Sequence, residues 1–224
     1  MVVMLSGRGS NYRALQTARQ DGRLTGDIVA VISDRIDAAG LTLARADGVD
    51  TVCVDRRRYP DRDSFESALR VALAGFDARW IVLAGFMRVL SAGFVLAHQG
   101  RMVNIHPSLL PRHRGLHTHQ RVLEAGETEH GASVHFVTPE LDGGPVISQV
   151  KMAVEPGDSP ESLAERLLPL EHRLLPATMA LLLSEPVELR YESISIRNQI
   201  LVRPLELDID LSDHGHLLGT GWQR

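Results

Sequence analysis

The residues best placed to do chemistry are Asn104 and His106, which lie where a short apolar stretch ends. Two residues separated by one position on an extended chain point to the same face, so both side chains can reach one reacting atom. A carboxamide donates hydrogen bonds to a developing negative oxygen, and an imidazole donates or exchanges a proton. Pro107 follows and ends the strand. Packing would favour a longer apolar run, so the polar pair predicts a site at a strand end.

A second candidate is the segment Ser6-Gly7-Arg8-Gly9-Ser10-Asn11, between an expected strand and an expected helix. Its glycines let the backbone turn tightly and leave amide donors at the helix N-terminus facing an anion, which suits a phosphate group. An ordinary tight turn explains the same residues equally well. A dinucleotide is not favoured, because Tyr12 stands where the dinucleotide motif has a third small residue.

Two further segments offer a ligand cleft and a carboxylate. Ala84-Gly85-Phe86-Met87-Arg88-Val89-Leu90 follows an expected strand, and its apolar side chains suit a flat heterocycle, with core packing as the alternative. Thr138-Pro139-Glu140-Leu141-Asp142-Gly143-Gly144-Pro145 is a turn-rich connection. Its Asp142 would orient His106 or favour the protonated imidazole, although an Asp before two glycines is also an ordinary turn residue. Only proximity to the strand-end pair would give Asp142 a chemical role.

Three histidines, His113, His117 and His119, are close in sequence but do not predict a metal site. A zinc site needs three or four converging ligands, and the sequence has neither a cysteine pair nor a His-Glu-x-x-His helix to supply them. We expect polar residues lining a cleft instead. The run Arg56-Arg57-Arg58 is interpreted as a solvated loop, and Arg62 beyond it is suited to meet a carboxylate tail.

Short β-branched runs alternate with segments of helical period, which predicts an α/β fold with an open, mostly parallel twisted sheet and helices on both faces. The last helix carries Pro169 and Pro176, each of which removes an amide donor and crowds the preceding turn, so we expect a kink or a break. The predicted strands are residues 2–5, 28–33, 51–54, 80–84, 101–105, 133–137 and 146–151. The predicted helices are residues 11–20, 38–46, 62–74, 92–97, 119–125 and 160–183.

No repeat, low-complexity tract or Pro/Gly/Ser linker divides the chain, so one main domain is expected over residues 1–190. Residues 191–224 form a small β-like extension and a tail. Short β-like pieces at 187–191, 194–196 and 199–202 predict a small hairpin. Residues 204–224 carry weak signals and are expected to be loosely held.

Composition limits the partners and the location. The 224-residue chain has a net charge of −4 and a pI near 6.2, which argues against a dedicated nucleic-acid surface. The single Cys53 cannot form an internal disulfide, and no apolar run approaches the ~20 residues that span a bilayer. We expect a cytoplasmic protein that binds small molecules, with no nucleic-acid partner and no membrane association.

Together, these motifs resemble those of the phosphoribosylglycinamide formyltransferase family, folate-dependent enzymes of purine biosynthesis, over about residues 1–190. The resemblance rests on residues 6–11, 83–88, 104–111, 115–119, 130–137 and 141–145. The Asn-Ile-His and Leu-Asp-x-Gly-Pro elements are also similar to those of related formyltransferases and of formyltetrahydrofolate deformylase. The first turn and Gly-Leu-His-Thr-His favour the glycinamide enzymes. From about Arg203 the chain has no family pattern that we can place.

The resemblance implies a formyltransferase fold with a Rossmann-like, phosphate-binding half at about 1–100 and a folate-binding and catalytic half at about 101–190. It implies transfer of the formyl group of 10-formyltetrahydrofolate, the co-substrate, to the amino group of N1-(5-phospho-D-ribosyl)glycinamide, by a monomer or homodimer without a metal. The implied catalytic residues are Asn104, His106 and Asp142. The implied contacts of the phosphoribosyl substrate are Gly9, Ser10, Asn11 and Glu171. The implied folate contacts are Arg62, Met87, Arg88, Val89, Leu90, Asn104, Thr138, Pro139, Glu140, Leu141 and Asp142.

Three other functions remain open at this point. A formyltetrahydrofolate deformylase would use the same strand-end residues to hydrolyse the folate. A tRNA formyltransferase is less favoured, because the chain is acidic and lacks an extended basic C-terminal domain. The non-enzymatic alternative is a nucleotide-sensing module whose site has decayed.

Overall fold

The computed structural model describes residues 1–191, 193–219 and 222, and it confirms the predicted α/β fold. The strands in chain order are β1 Val2–Leu5, β2 Ala30–Ser33, β3 Asp50–Cys53, β4 Ile81–Leu83, β5 Met102–His106, β6 Glu129–Phe136, β7 Val146–Ala153, β8 Val187–Arg190, β9 Ser193–Ile196, β10 Gln199–Ile200 and β11 Leu205–Glu206. The large sheet has the order β11-β7-β6-β5-β4-β1-β2-β3, and β10-β9-β8 form a second, small sheet.

The large sheet is mostly parallel. Strands β3, β2, β1, β4 and β5 run parallel to one another, as do β11 and β7, whereas β6 is antiparallel to β5 and to β7. The chain leaves β1 toward β2 and β3 on one side and returns to β4 on the other, so the strand order reverses between β1 and β4. Open α/β sheets bind their ligands at such a reversal, beyond the carboxyl ends of the strands.

Helices cover both faces of this sheet. They are α1 Ser10–Gln20, α2 Ala39–Ala46, α3 Arg62–Ala74, α4 Ala92–Ala97, α5 Thr118–Glu124 and α6 Pro160–Ser184. Side chains of α1, α2 and α6 pack on the sheet face that presents Val3 and Leu5. Side chains of α3 and α4 pack on the opposite face with Val2 and Met4. Burial on both faces explains why the central strands are apolar without alternation.

The predicted elements are present, with ends that differ by a few residues. The largest difference is β6, which begins at Glu129 because this residue pairs with Ala153 of β7. The expected break in the last helix is wrong: α6 continues as one 25-residue helix through Pro169 and Pro176. Its C-terminal part is buried against the sheet, so packing outweighs the two missing backbone hydrogen bonds. A reciprocal cap of Ser159 and Ser162 stabilises its start.

The C-terminal region forms the small hairpin that the sequence predicts, because β8 pairs with β9 and β9 with β10. This small sheet begins at Val187 and therefore includes residue 190, where the sequence predicts the end of the main domain. The position of that domain boundary stays a prediction.

The expectation of a loosely held tail is wrong for residues 204–219 and 222, while residues 220, 221, 223 and 224 lie outside the described part. Strand β11 extends the large sheet beside β7. Leu205, Leu211 and Trp222 are buried in the main core. The Gly215 backbone lies so close to α6 that an added Cβ would be 2.6 Å from the Cβ of Ala180. The sequence carries a signal for this packing that the expectation of a loose tail overlooks, because Leu205, Leu207, Ile209 and Leu211 alternate with acidic residues as in a half-buried strand.

Candidate active site

The predicted site segments meet at the carboxyl edge of the three adjacent strands β1, β4 and β5. The Ser6 amide after β1 donates to the Gly85 carbonyl at 2.9 Å, and the Ser6 hydroxyl accepts from the Met87 amide at 2.8 Å. Leu83, the last residue of β4, pairs in register with Asn104 of β5. The glycine turn, the apolar segment and the strand-end pair are therefore neighbours. Residues from both predicted halves, 1–100 and 101–190, contribute to this edge.

The glycine turn opens α1 with free backbone donors. Gly9 is the N-cap, has a φ of 77° and provides no side-chain cap, so the first-turn amides have no intrahelical acceptor. A Cβ on Gly9 would lie 2.6 Å from the Cα of Gly40, at the start of α2. Left-handed backbone and close helix approach both require glycine here. The turn presents amide donors and the positive end of the α1 dipole to an anion.

Asn11 connects this turn to α6. Its Nδ2 donates to Oε2 of Glu171 at 3.1 Å, while its Oδ1 is buried without a partner among the described residues. Burial raises the pKa of Glu171 above its usual range, although the hydrogen bond from Asn11 opposes this. The structure therefore brings together Gly9, Asn11 and Glu171, which the resemblance assigns to one substrate.

His106 is the last residue of β5 and is nearly completely buried. Its Nε2 lies 3.0 Å from the His113 carbonyl, and its Nδ1 lies 3.5 Å from Oδ2 of Asp142. Burial lowers the pKa of His106, and the contacts with the His113 carbonyl and Asp142 oppose that shift. The imidazole thus faces two acceptors that support its cation, inside surroundings that penalise a charge.

Asp142 reaches the strand end because its backbone adopts the left-handed conformation, with φ 47°. Its Oδ2 accepts from the Gly115 amide at 2.8 Å, and its Oδ1 lies 3.6 Å from Nε2 of His135. Burial alone would raise the carboxyl pKa, but the contacts with His135 and the Gly115 amide, together with His106, lower it to about 2. Asp142 is therefore a carboxylate at neutral pH.

His135 is a site residue that the sequence reasoning missed. It stands opposite Asn104 in the antiparallel pairing of β6 with β5, and Asn104 Nδ2 lies 3.2 Å from its Nε2. Its Nδ1 lies 2.9 Å from the Phe136 carbonyl, so the proton of the neutral ring belongs on Nδ1 and Nε2 accepts from the amide, whereas only the protonated ring turns an Nε2 proton toward Asp142. The alternation of Ser133 and His135 in an otherwise apolar strand was the available signal, but only the strand register gives it a partner.

A narrow cleft of about 100 Å³ lies beside this polar group. Asn104, His135 and Asp142 line it together with most of the predicted folate contacts, whereas His106 lies behind them. Those predicted contacts are Arg88, Val89, Leu90, Thr138, Pro139, Glu140 and Leu141. The remaining two, Met87 and Arg62, do not line the cleft: Met87 is 67% exposed and Arg62 is an exposed residue at the start of α3. Arg88 is held by Asp34, with Nε 2.6 Å from Oδ2.

The three clustered histidines have separate partners. His113 Nε2 lies 2.7 Å from Oε1 of Glu127, and His119 Nδ1 lies 2.8 Å from Nε2 of His130. His117 is the exposed N-cap residue of α5. Across residues 1–191, 193–219 and 222, no three His, Cys, Asp or Glu side chains converge in a way that could hold a metal ion. In the same residues, no helix is long and apolar enough to cross a membrane.

The fold and the strand-end residues identify the class of protein. The chain belongs to the formyl transferase family, whose sequence pattern it matches over residues 1–179. It is 44% identical to phosphoribosylglycinamide formyltransferase of Escherichia coli (strain K12) over 180 residues, covering 80% of this chain and 85% of that protein. It is 40% identical over 188 residues to the trifunctional purine biosynthetic protein adenosine-3 of Gallus gallus, covering 84% of this chain but only 19% of that longer protein.

The solved structure of phosphoribosylglycinamide formyltransferase from Coxiella burnetii has a TM-score of 0.86 and 41% identity. That match covers 97% of this chain and 98% of the other. The family match ends at residue 179, but the structural match covers nearly the whole chain. Most of the region beyond residue 179 therefore has a counterpart in the Coxiella structure. The tail from about Arg203, in which the sequence shows no family pattern that we can place, is thus largely covered by this structural match.

Proposed function

We propose that this chain transfers the formyl group of 10-formyltetrahydrofolate to the amino group of N1-(5-phospho-D-ribosyl)glycinamide in purine biosynthesis. The observation that carries the proposal is the position of Asn104, His106, His135 and Asp142 between an anion-binding turn and an apolar cleft. The names of the relatives support the same substrates. A hydrolase is not favoured, because these relatives are transferases.

The substrate amine attacks the formyl carbon and forms a tetrahedral intermediate with a negatively charged oxygen. In our proposal, Asn104 donates one amide hydrogen to this oxygen while the other is held by Nε2 of His135. His135 is then a positioning residue, because it fixes the carboxamide without touching the substrate. The C–N10 bond breaks next, the amine loses one proton and N10 gains one. No covalent enzyme intermediate is needed.

His106 and Asp142 would move that proton. The His113 carbonyl holds Nε2, so Nδ1 is the nitrogen that faces Asp142, which itself lines the cleft. Asp142 stabilises a proton on Nδ1, whereas burial makes the imidazolium costly. A group with these opposing influences gains and loses a proton at a small cost in free energy, which suits a general acid–base.

The remaining contacts follow from the placement of each segment. The phosphate would bind the first-turn amides of Gly9, Ser10 and Asn11, with the ribose near Glu171. The folate ring would occupy the cleft against Arg88, Val89 and Leu90 under residues 138–142, and Arg62 would meet the folate tail from outside it. A cytoplasmic location, a monomer or homodimer, and the absence of metal and nucleic acid complete the proposal.

The test is to mix the protein with both substrates and to follow loss of the formyl donor and formylation of the glycinamide compound. We expect equal amounts of both, with negligible loss of donor when the glycinamide compound is left out. Steady hydrolysis of the folate alone, without transfer, would identify a deformylase. Binding of both ligands without any reaction would support a sensing module.

A further inference from the structure

A second cavity, of about 200 Å³, opens at the amino ends of the strands, on the edge of the sheet opposite the cleft. Val2 and Ile81, at the starts of β1 and β4, form part of its apolar floor. Its polar lining consists of Arg70 from α3, His98 after α4, and Arg101 just before β5. None of the residues that line this basic pocket is a carboxylate.

His98 is the buried centre of the basic pocket, with only 6% of its surface exposed. Its Nδ1 lies 2.8 Å from the Phe94 carbonyl, which places the proton of the neutral ring on Nδ1. Nε2 has no hydrogen-bond partner within the described chain. The ring packs against Phe94 at a centroid distance of 4.7 Å, so it cannot turn freely to find one. An unpaired ring nitrogen on a largely buried side chain that lines a cavity is available to a ligand or to solvent.

Two arginines line the same cavity as this imidazole. Arg70 lies over the Phe94 ring at 5.2 Å and is 4.0 Å from Glu66, whose carboxylate already accepts from the Ser91 amide at 2.6 Å. Arg101 has no side-chain partner among the described residues. Its backbone is fixed, because its amide donates to the His98 carbonyl at 3.2 Å and its own carbonyl accepts from Ile81 at 2.8 Å. Burial lowers the pKa of His98, the Phe94 carbonyl opposes this, and Arg101 and Arg70 lower it further.

We propose that the basic pocket binds a phosphate-type oxyanion, with His98 between the guanidinium groups of Arg70 and Arg101. Guanidinium groups bind tetrahedral oxyanions in a bidentate manner. A monoprotonated phosphate also donates a hydrogen bond to the free Nε2, which a chloride ion or an ionised carboxylate cannot do. The bound anion offsets the mutual repulsion of the two arginines. The site is independent of the proposed reaction, which uses the other edge of the sheet.

The test follows the imidazole nitrogens of His98 by NMR in the uniformly ¹⁵N-labelled full chain, during titration with sodium phosphate against sodium chloride at constant ionic strength. We expect a saturable change at Nε2 and a rise of about one unit in the apparent pKa of His98 when phosphate is bound. The signal is local, so phosphate that binds the α1 turn is followed separately at the Asn11 amide.

Matched arginine variants test the assignment. Arg101→Ala is expected to weaken phosphate binding at His98 by about tenfold, since it removes a charge-assisted hydrogen bond. Arg45→Ala removes an arginine whose Nε donates to Thr51, away from the basic pocket, and should leave the titration unchanged. No response of Nε2 to phosphate, or equal weakening by both variants, would overturn the proposal.

A parallel titration with glycerol phosphate distinguishes free phosphate from a phosphate ester. Tighter binding of inorganic phosphate identifies the free ion as the occupant, and tighter binding of glycerol phosphate identifies a phosphomonoester. A response to neither compound would also overturn the proposal.

Discussion

The glycine turn after β1 and the polar group at the ends of β5 and β6 lie at the same edge of the sheet but are built differently. The turn uses backbone: Gly9 has no side chain, and the donors are amides at the start of α1. The polar group uses the side chains of Asn104, His106, His135 and Asp142, which come from two strands and a loop. One region depends on local conformation, whereas the other depends on tertiary pairing.

The two regions should therefore respond differently to substitution of their residues. Backbone donors are fixed wherever α1 is fixed, so side-chain changes at the glycines of the turn matter only where an added Cβ meets a neighbour. The polar group is a chain of contacts: the Gly115 amide holds Asp142, Asp142 faces His106, and His135 holds Asn104. Loss of one member disturbs the chemistry while the fold persists, because the surrounding strands are buried and paired.

The largest effect should come from His106→Ala and Asp142→Ala. Each removes the proposed proton transfer, and we expect kcat to fall by about 10³–10⁴. The KM of each substrate should change by only a few-fold, because neither side chain is proposed to carry the main binding contacts. Steady-state kinetics with both substrates measures this split. Near-normal turnover in either variant would disprove the assigned roles.

Asn104→Ala should follow, with a fall in kcat of about 10²–10³, or roughly 3–4 kcal/mol, as expected for the loss of one donor to the negatively charged oxygen.

His135→Ala should lower kcat by a smaller factor, because the carboxamide of Asn104 remains but is no longer held. His135→Gln provides the control, since its side-chain oxygen can accept from Asn104 and should restore part of the rate. If His135→Ala raised KM and left kcat unchanged, a positioning role would be wrong.

The sequence predicts the turn better than the polar group, for the same structural reason. A strand, two glycines and a helix start are local features, and residues 6–11 carry all of them. The shared face of Asn104 and His106 is also local, because it follows from strand geometry. His135 acquires its partner only when β6 pairs antiparallel to β5 in one register. The residues around His135 do not by themselves say which strand will pair with them or in which register, because both depend on how the whole sheet packs.

Tertiary packing outweighs local preference in the last helix. Pro169 and Pro176 oppose a continuous helix locally, yet α6 is buried against the sheet and stays unbroken. The tail prediction failed for another reason, because it overlooked the alternation of apolar and acidic residues over 205–211. The sequence leaves open whether Asp142 reaches His106, and in the structure it does so through a left-handed backbone at a non-glycine residue, which local rules do not favour.

Gly9→Ala should lower the stability of the fold, whereas the substitutions in the polar group should mainly lower kcat. The added Cβ would lie 2.6 Å from the Cα of Gly40 in a left-handed backbone, so α1 and α2 must move apart. We expect a loss of about 3 kcal/mol in the free energy of unfolding and a higher KM for the phosphoribosyl substrate. Gly7→Ala is the matched control, because an added Cβ there has no neighbour within 4 Å. Equal stability of the two variants would contradict a close approach of the helices.

The smallest effect should be a pH dependence of the free energy of unfolding, caused by a histidine close to the polar group. His130, behind the polar group, is 1% exposed and lies 2.8 Å from His119. Burial, reinforced by repulsion from His119, lowers the pKa of His130 to about 4, from an ordinary value of 6.5. Between these values the unfolded chain binds more protons than the folded chain, so the contribution of His130 is complete above pH 6.5 and declines as the pH falls toward 4. Urea unfolding across this range should show a loss of roughly 2–3 kcal/mol from His130, and His130→Gln should flatten the slope by that amount, whereas Gly7→Ala should keep it. An unchanged slope in His130→Gln would mean that the acid sensitivity arises from other buried groups, such as His106 or His98, whose pKa values burial also lowers.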